Sequence, residues 1–342
     1  MRFSSSSKLF ITYAICLSFT VIIFQNLFYQ IDFTKNSQSH YIIDGFYYYK
    51  VALTYSYSNI MDIIYNPINV SSFGVLLVNK IYSILFPFAY FPVINVSVLF
   101  FVLSSLYNIK SSLFLSLVVM LISPYLGVVS KEFIILLGLL CLFSRANFFI
   151  RFLGLVLLVL GRPEAAFLFI FSTIFYYVFW SKKVFLQISF IVICTSIYIF
   201  VLREFVYETS LLFQSPNQSS DYSCEIPVFR TCLTSSHLME FTFFQRSFAI
   251  FLLPVKWVLD VFNNQSIFSY LYFFTSFYLT FFLLFTNHVK NLFIRSPILV
   301  IFCFLNIIVY LSILFLAPSR PVFFNFYILM LFAVLQPRLK LF

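Results

Sequence analysis

Four short polar stretches in a very apolar chain carry the side chains with chemistry to offer. Asp44, in Tyr41-Ile42-Ile43-Asp44-Gly45-Phe46-Tyr47-Tyr48-Tyr49, is a carboxylate able to accept a proton from an attacking hydroxyl. It also stands just ahead of a predicted helix, where an Asp caps free backbone N–H groups; the two roles can coexist. Ser130-Lys131-Glu132, preceded by Ser123-Pro124-Tyr125, sets an ammonium beside a carboxylate, Glu132. A local ion pair satisfying a turn would leave the same trace. Gly161-Arg162-Pro163-Glu164 offers a guanidinium, a fork suited to a diphosphate, with a carboxylate, Glu164, two residues on. Ala317-Pro318-Ser319-Arg320-Pro321 offers a second such cation, although a snorkelling surface arginine reads the same way. Arg230, His237 and Arg246 are weaker binding candidates, because the long polar stretch that holds them carries charges for many reasons.

The elements that must position these residues follow from composition. Of 342 residues, 62% are hydrophobic and 9% charged, and the mean hydropathy is +1.00. A soluble domain carries about 25% charged residues, so the solvent of this chain is expected to be a bilayer. Backbone polar groups there must be satisfied within helices or closed barrels. The apolar runs continue for roughly 17–22 residues, the length of a spanning helix, and do not alternate over about 10 residues as barrel strands do. The expected fold class is therefore an all-α polytopic membrane protein, a single integral membrane domain over 1–342. The net charge of +10 needs no nucleic acid, since the basic residues sit at span ends as the positive-inside rule requires. The 52 Phe and 23 Tyr include interface anchors and suggest no cofactor box.

The runs fall at 9–28, 92–107, 112–129, 133–149, 152–161, 165–180, 184–202, 268–286, 297–316 and 322–335. Two further runs, 74–88 and 248–262, are interrupted by Asn79 and Lys80 and by Lys256 and Asp260. Reading both as interfacial or re-entrant helices leaves about ten transmembrane helices with both termini cytoplasmic. Lys110, Arg145, Arg151, Lys182, Lys183, Lys290, Arg295, Arg338 and Lys340 then all face inward. The first run has a basic start and no A-x-A cleavage site, so it is read as an uncleaved span. Two long extracytoplasmic loops follow from this map, at about 29–91 and 203–246, the first with an amphipathic helix around 45–59. All four polar constellations then lie on the outer side. The run 152–161 gives only about 15 Å of helix, too short for a core of about 30 Å, which leaves Arg162 within the membrane depth. An intramembrane charge is a functional-site hypothesis by default.

Of six cysteines, Cys16, Cys141, Cys194 and Cys303 lie inside apolar runs as small core residues. Cys224 and Cys232 share one loop, where an outer location permits a disulfide and the spacing leaves it open. No His/Cys spacing resembles a zinc site. There is no P-loop, no G-x-G-x-x-G and no nucleophile elbow, so no nucleotide is expected. That fits a reaction outside the cytoplasm, where lipid-linked donors replace nucleotide sugars.

The arrangement resembles the oligosaccharide repeat-unit polymerases of bacterial surface polysaccharides, the O-antigen polymerase group, and in layout the wider GT-C membrane glycosyltransferases. Three features carry the likeness: Asp44 followed by aromatics in the first outer loop; Pro124-Tyr125 with Lys131-Glu132, followed by Arg162-Pro163; and Arg320-Pro321 before the last span. The resemblance implies a glycosyltransferase in the bacterial inner membrane with a periplasmic active site. It would move a growing glycan from undecaprenyl diphosphate onto a new lipid-linked unit, building lipopolysaccharide O-antigen. Donor and acceptor are both undecaprenyl-diphosphate-linked glycans. Membrane lipid and a chain-length regulator protein are the other implied partners, and no metal or other cofactor is expected. Arg162 and Arg320 would hold the donor diphosphate, with Asp44 or Glu132 as base. Asp44 has no acidic neighbour, unlike the paired acidic motif common in GT-C enzymes. A GT-C enzyme adding a side-branch sugar is the near alternative. A lipid-linked-oligosaccharide flippase is the distant one, since two similar halves are not visible.

Overall fold

A computed structural model describes residues 5–29, 44–54, 73–109, 112–180, 183–197, 288–313 and 319–337. The expected features at 203–246, 248–262 and 268–286, with Cys224, Cys232, Arg230, His237 and Arg246, lie outside the described residues. The described residues are mostly helix. In chain order they form α1 (Ser5–Tyr29), α2 (Asp44–Thr54), α3 (Phe73–Leu85), α4 (Phe91–Leu106), β1 (Tyr107–Ile109) and α5 (Ser112–Leu126). Then come α6 (Lys131–Leu142), α7 (Phe148–Gly161), α8 (Pro163–Trp180), α9 (Val184–Ile197), α10 (His288–Arg295), α11 (Pro297–Ile313), α12 (Ser319–Val334) and β2 (Leu335–Pro337). Among the described residues two helical stretches are long and apolar enough to cross a membrane, Phe88–Leu106 and Pro163–Trp180. Several shorter helices, such as Phe148–Gly161, are also apolar.

The chain divides into two compact units. One is drawn from Met1–Phe169, Tyr278–Leu299 and Phe326–Phe342, the other from Ile170–Phe277 and Val300–Asn325. In the first unit α1 packs along α4 and α5. Apolar faces set the contact, and small polar pairs fix its register: the Tyr13 and Ser97 hydroxyls share a 3.0 Å hydrogen bond. Close by, Ser116 donates to the Thr12 hydroxyl at 3.2 Å. Such pairs between apolar helices satisfy groups that would otherwise be buried without partners.

The runs 133–149 and 152–161 divide differently from expectation. Helix α6 stops at Leu142, where Ser144 donates to the Cys141 carbonyl at 2.7 Å. Helix α7 starts already at Phe148, because the Asn147 side chain accepts from the Ile150 N–H at 3.1 Å and caps it. The turn is therefore set by polar side chains, and hydropathy carries no trace of that. With 14 residues, α7 is about 21 Å long, still short of a bilayer core of about 30 Å. The hairpin closes tightly: a Cβ on Gly154 would lie 2.7 Å from the Gly138 carbonyl oxygen.

At the opposite end of α4 from its Pro-containing start, β1 and β2 pair antiparallel, Tyr107 against Pro337 and Ile109 against Leu335. Tyr107 is buried and donates to the Leu140 carbonyl at 2.6 Å, which ties this ribbon to α6. In the second unit, Phe171, Phe175 and Phe179 of α8 meet Phe190 of α9. There, too, Asn306 donates to the Asn325 side-chain oxygen at 3.1 Å.

Candidate functional site

The turn between α5 and α6 is the centre of the candidate site. Ser130 caps α6: its hydroxyl accepts from the Phe133 N–H at 3.1 Å and donates to the Tyr125 carbonyl at 3.3 Å. Lys131 and Glu132 follow as the first two residues of the helix. A carboxylate in the first turn suits the positive end of the helix dipole, whereas a cation does not. Lys131 nevertheless sits there and is 7% exposed. Its ammonium lies 5.3 Å from the centroid of the Tyr48 ring, a cation–π distance. Burying a charge at the unfavourable end of a helix costs stability, so helix formation does not account for Lys131.

Tyr48 comes from α2, whose first residue is Asp44. The helix begins at Asp44 itself and not one residue after it. Gly45 rests directly on the Val128 side chain, and a Cβ there would be 3.3 Å from the Val129 carbonyl oxygen; the missing side chain is what lets α2 meet the α5–α6 turn. The aromatics after Asp44 serve packing. Phe46 stacks on Phe24 of α1, Tyr49 stacks on Phe88 at 3.9 Å, and Phe46 and Tyr48 are buried. Burial raises the Tyr49 hydroxyl above its ordinary pKa. The far end of α2 is held by Lys80 of α3, which donates to the Ala52 carbonyl at 2.8 Å.

Arg162 is the single residue between α7 and α8, extended at φ −156 and ψ 117. Its N–H donates to the Leu158 carbonyl at 2.8 Å, and its own carbonyl accepts from the Ala165 N–H at 3.0 Å. It thus ends one helix and begins the next, with Pro163 at the first position of α8, where a missing N–H costs nothing. The side chain is half-buried, while Glu164 is exposed. Gly161 brings this junction onto α6: a Cβ there would be 2.9 Å from Ile135 Cγ1 and 3.3 Å from the Lys131 carbonyl oxygen.

The fold therefore gathers three of the four constellations at one end of the first unit. Asp44 opens α2 on the α5–α6 turn, Lys131 and Glu132 leave that turn, and Arg162 with Glu164 abuts the start of α6. Arg320 is not among them. It is the second residue of α12 and belongs to the second unit, so the Arg-Pro pair lies inside the first turn of that helix and not in a loop before it. Sequence reasoning passed over Asn95 and took Asn79 only as an interruption of an apolar run. Both are completely buried; Asn79 donates to the Val129 carbonyl and Asn95 to the Leu126 carbonyl, each at 2.9 Å. The signal that could have found them was an amide in an apolar helix, since burying one costs free energy unless it is hydrogen-bonded.

Chemically, the arrangement offers an ammonium and a guanidinium from two abutting helix ends, with carboxylates at the same ends. A guanidinium and an ammonium are each able to bind an anionic group. Among the described residues no group of three or more His, Cys, Asp or Glu could hold a metal ion. Comparison of the chain with protein-family models, curated proteins and solved structures finds no match.

Proposed function

We propose that this chain is a repeat-unit polymerase: a membrane glycosyltransferase that elongates an undecaprenyl-diphosphate-linked glycan at the outer face of a bacterial inner membrane. The observation that carries the reading is the convergence of α2, the α5–α6 turn and the α7–α8 junction at one end of an apolar helical unit. This end gathers Lys131 and Arg162, cations for a diphosphate, with Asp44, Glu132 and Glu164 on the same helix starts. Asp44 or Glu132 takes the proton from the acceptor hydroxyl. Lys131 and Arg162 stabilise the departing diphosphate as its charge develops.

The reading includes a topology of ten spans with both termini in the cytoplasm. Pairing of β1 with β2 supports it, because the segments after α4 and after α12 must then lie on one side, as the ten-span map has them. The α5–α6 turn and the α7–α8 junction share the other end, which the map places outside.

The test is deletion of the gene in its host, with the surface lipopolysaccharide resolved on a gel. Polymerase activity predicts that the ladder collapses to core plus one repeat unit, since unit assembly, export and ligation continue. An intact ladder whose bands each shift slightly would replace this reading with a side-branch GT-C transferase. Loss of every unit would replace it with assembly or flipping.

A further inference from the structure

The α5–α6 turn is held from outside by two amides. Asn79 of α3 reaches the Val129 carbonyl and Asn95 of α4 reaches the Leu126 carbonyl, so both ends of the turn are tied to different helices. These contacts satisfy carbonyls that a helix end leaves bare. A hydroxyl suffices for that, as Ser130 shows at Tyr125. The amides bring a liability instead: the side-chain oxygens of Asn79 and Asn95 are buried with no hydrogen-bond partner among the described residues. Asn79 donates as well to the Val75 carbonyl of its own helix at 2.9 Å; an orphaned acceptor costs about as much as one such bond, so the net gain in stability from either amide is small. What the amides do fix is direction. Val129 lies two residues before Lys131, and Lys80, the neighbour of Asn79, holds the end of the helix that carries Tyr48. One step of α3 thereby anchors both partners of the Lys131–Tyr48 contact.

We infer that Asn79, with Asn95 as the second tie, is a positioning residue that fixes the α5–α6 turn so that Lys131 stays against Tyr48. The inference rests on the proposed polymerase for the purpose of Lys131 as a diphosphate ligand, but its structural part stands apart from that activity.

The test uses the full chain in membranes. Asn79→Leu keeps a side chain of similar length, removes the orphaned oxygen and frees the turn. Lys131→Cys is introduced with and without it, and the rate of modification by N-ethylmaleimide is read at that position by mass spectrometry. Leu136→Cys, in the buried part of α6, serves as the control for general loosening. Positioning predicts a rise of about fivefold in the rate at position 131, as local opening is freed, with the control unchanged. In the chain retaining Lys131, Asn79→Leu then lowers kcat and kcat/KM for the lipid-diphosphate donor together by about tenfold and leaves KM nearly unchanged, because stabilisation of the developing charge is what is lost. Asn95→Leu carries the same expectations and decides the matter if Asn79→Leu fails to accumulate. An unchanged rate at position 131 overturns the inference, and so does an equal rise at the control, which would make the amide merely structural. A selective rise at position 131 in a protein whose parent makes no polymer upholds the positioning and removes the polymerase instead.

Discussion

Replacing Gly161 by Ala tests whether the junction of α7 with α6 matters for more than folding. The new Cβ would lie 2.9 Å from Ile135 Cγ1, about 0.5 Å inside the 3.4 Å at which ordinary contact begins, and 3.3 Å from the Lys131 carbonyl oxygen. The nearest atom belongs to a side chain, so the helices can part without breaking. Overpacking of this kind costs about 1–3 kcal/mol, and Ala in place of Gly returns about 1 kcal/mol of helix propensity. The net loss is then about 0–2 kcal/mol. The displacement falls on the two residues that matter, Lys131 through its carbonyl and Arg162 as the next residue along. A 1 Å misplacement can lower a rate about 100-fold, so a shift of about half that size is expected to slow polymerisation by about tenfold. The assay is the density of the lipopolysaccharide ladder in deletion cells complemented with the variant, beside the melting temperature of the purified protein. The internal comparison is Gly154→Ala, whose Cβ would sit 2.7 Å from the Gly138 carbonyl oxygen and 2.8 Å from the Leu142 nitrogen. Both are backbone atoms that cannot yield, so that variant should lower the amount of folded protein. A full-density ladder from Gly161→Ala would refute the reasoning, as would a stability loss equal to that of Gly154→Ala.

Arg162→Ala and Arg320→Ala should each abolish polymer while the protein level in the membrane is unchanged; normal polymer from either removes that residue from the site. Arg162→Lys should restore little, because an ammonium lacks the bidentate fork. Tyr48→Phe keeps the ring beside Lys131 and should retain more stability and polymer than Tyr48→Leu. Tyr48→Leu should cost about 1–2 kcal/mol through the lost cation–π contact, read as a lower melting temperature; equal behaviour of the two variants would dismiss that contact. Cysteines at positions 44 and 320 should react with an impermeant thiol reagent added from outside, and one at position 183 should not. The reverse pattern would sink the ten-span map.

The helical class was legible because it rests on a sum over many residues. The runs at 9–28, 92–107 and 165–180 match α1, α4 and α8 closely, and no single side chain decides them. The α6–α7 boundary was illegible for the opposite reason. Near-continuous apolarity from 133 to 161 hides a turn made by Ser144 and Asn147, whose effect depends on which backbone groups their oxygens reach. The ribbon of β1 and β2 joins residues far apart in the chain, and its three-residue strands carry no period to read. Likewise, the aromatics after Asp44 entered the sequence reading only as part of a resemblance, whereas Phe46 and Tyr48 form part of a core.

For the site, the polar residues could be named in advance but not their grouping, and the reason lies in what makes helices meet. Charge and apolarity say which residues are expensive to place; they do not say which helix ends adjoin. Here adjacency is set by the smallest residue, and the chain has only six glycines. Gly45 and Gly161 stand next to Asp44 and Arg162, and each lets its helix touch the α5–α6 turn or the first turn of α6. A glycine beside a candidate side chain is thus a better sign of convergence than the side chain itself. The same logic separates Arg320, which has no glycine near it in the chain and falls in the other unit.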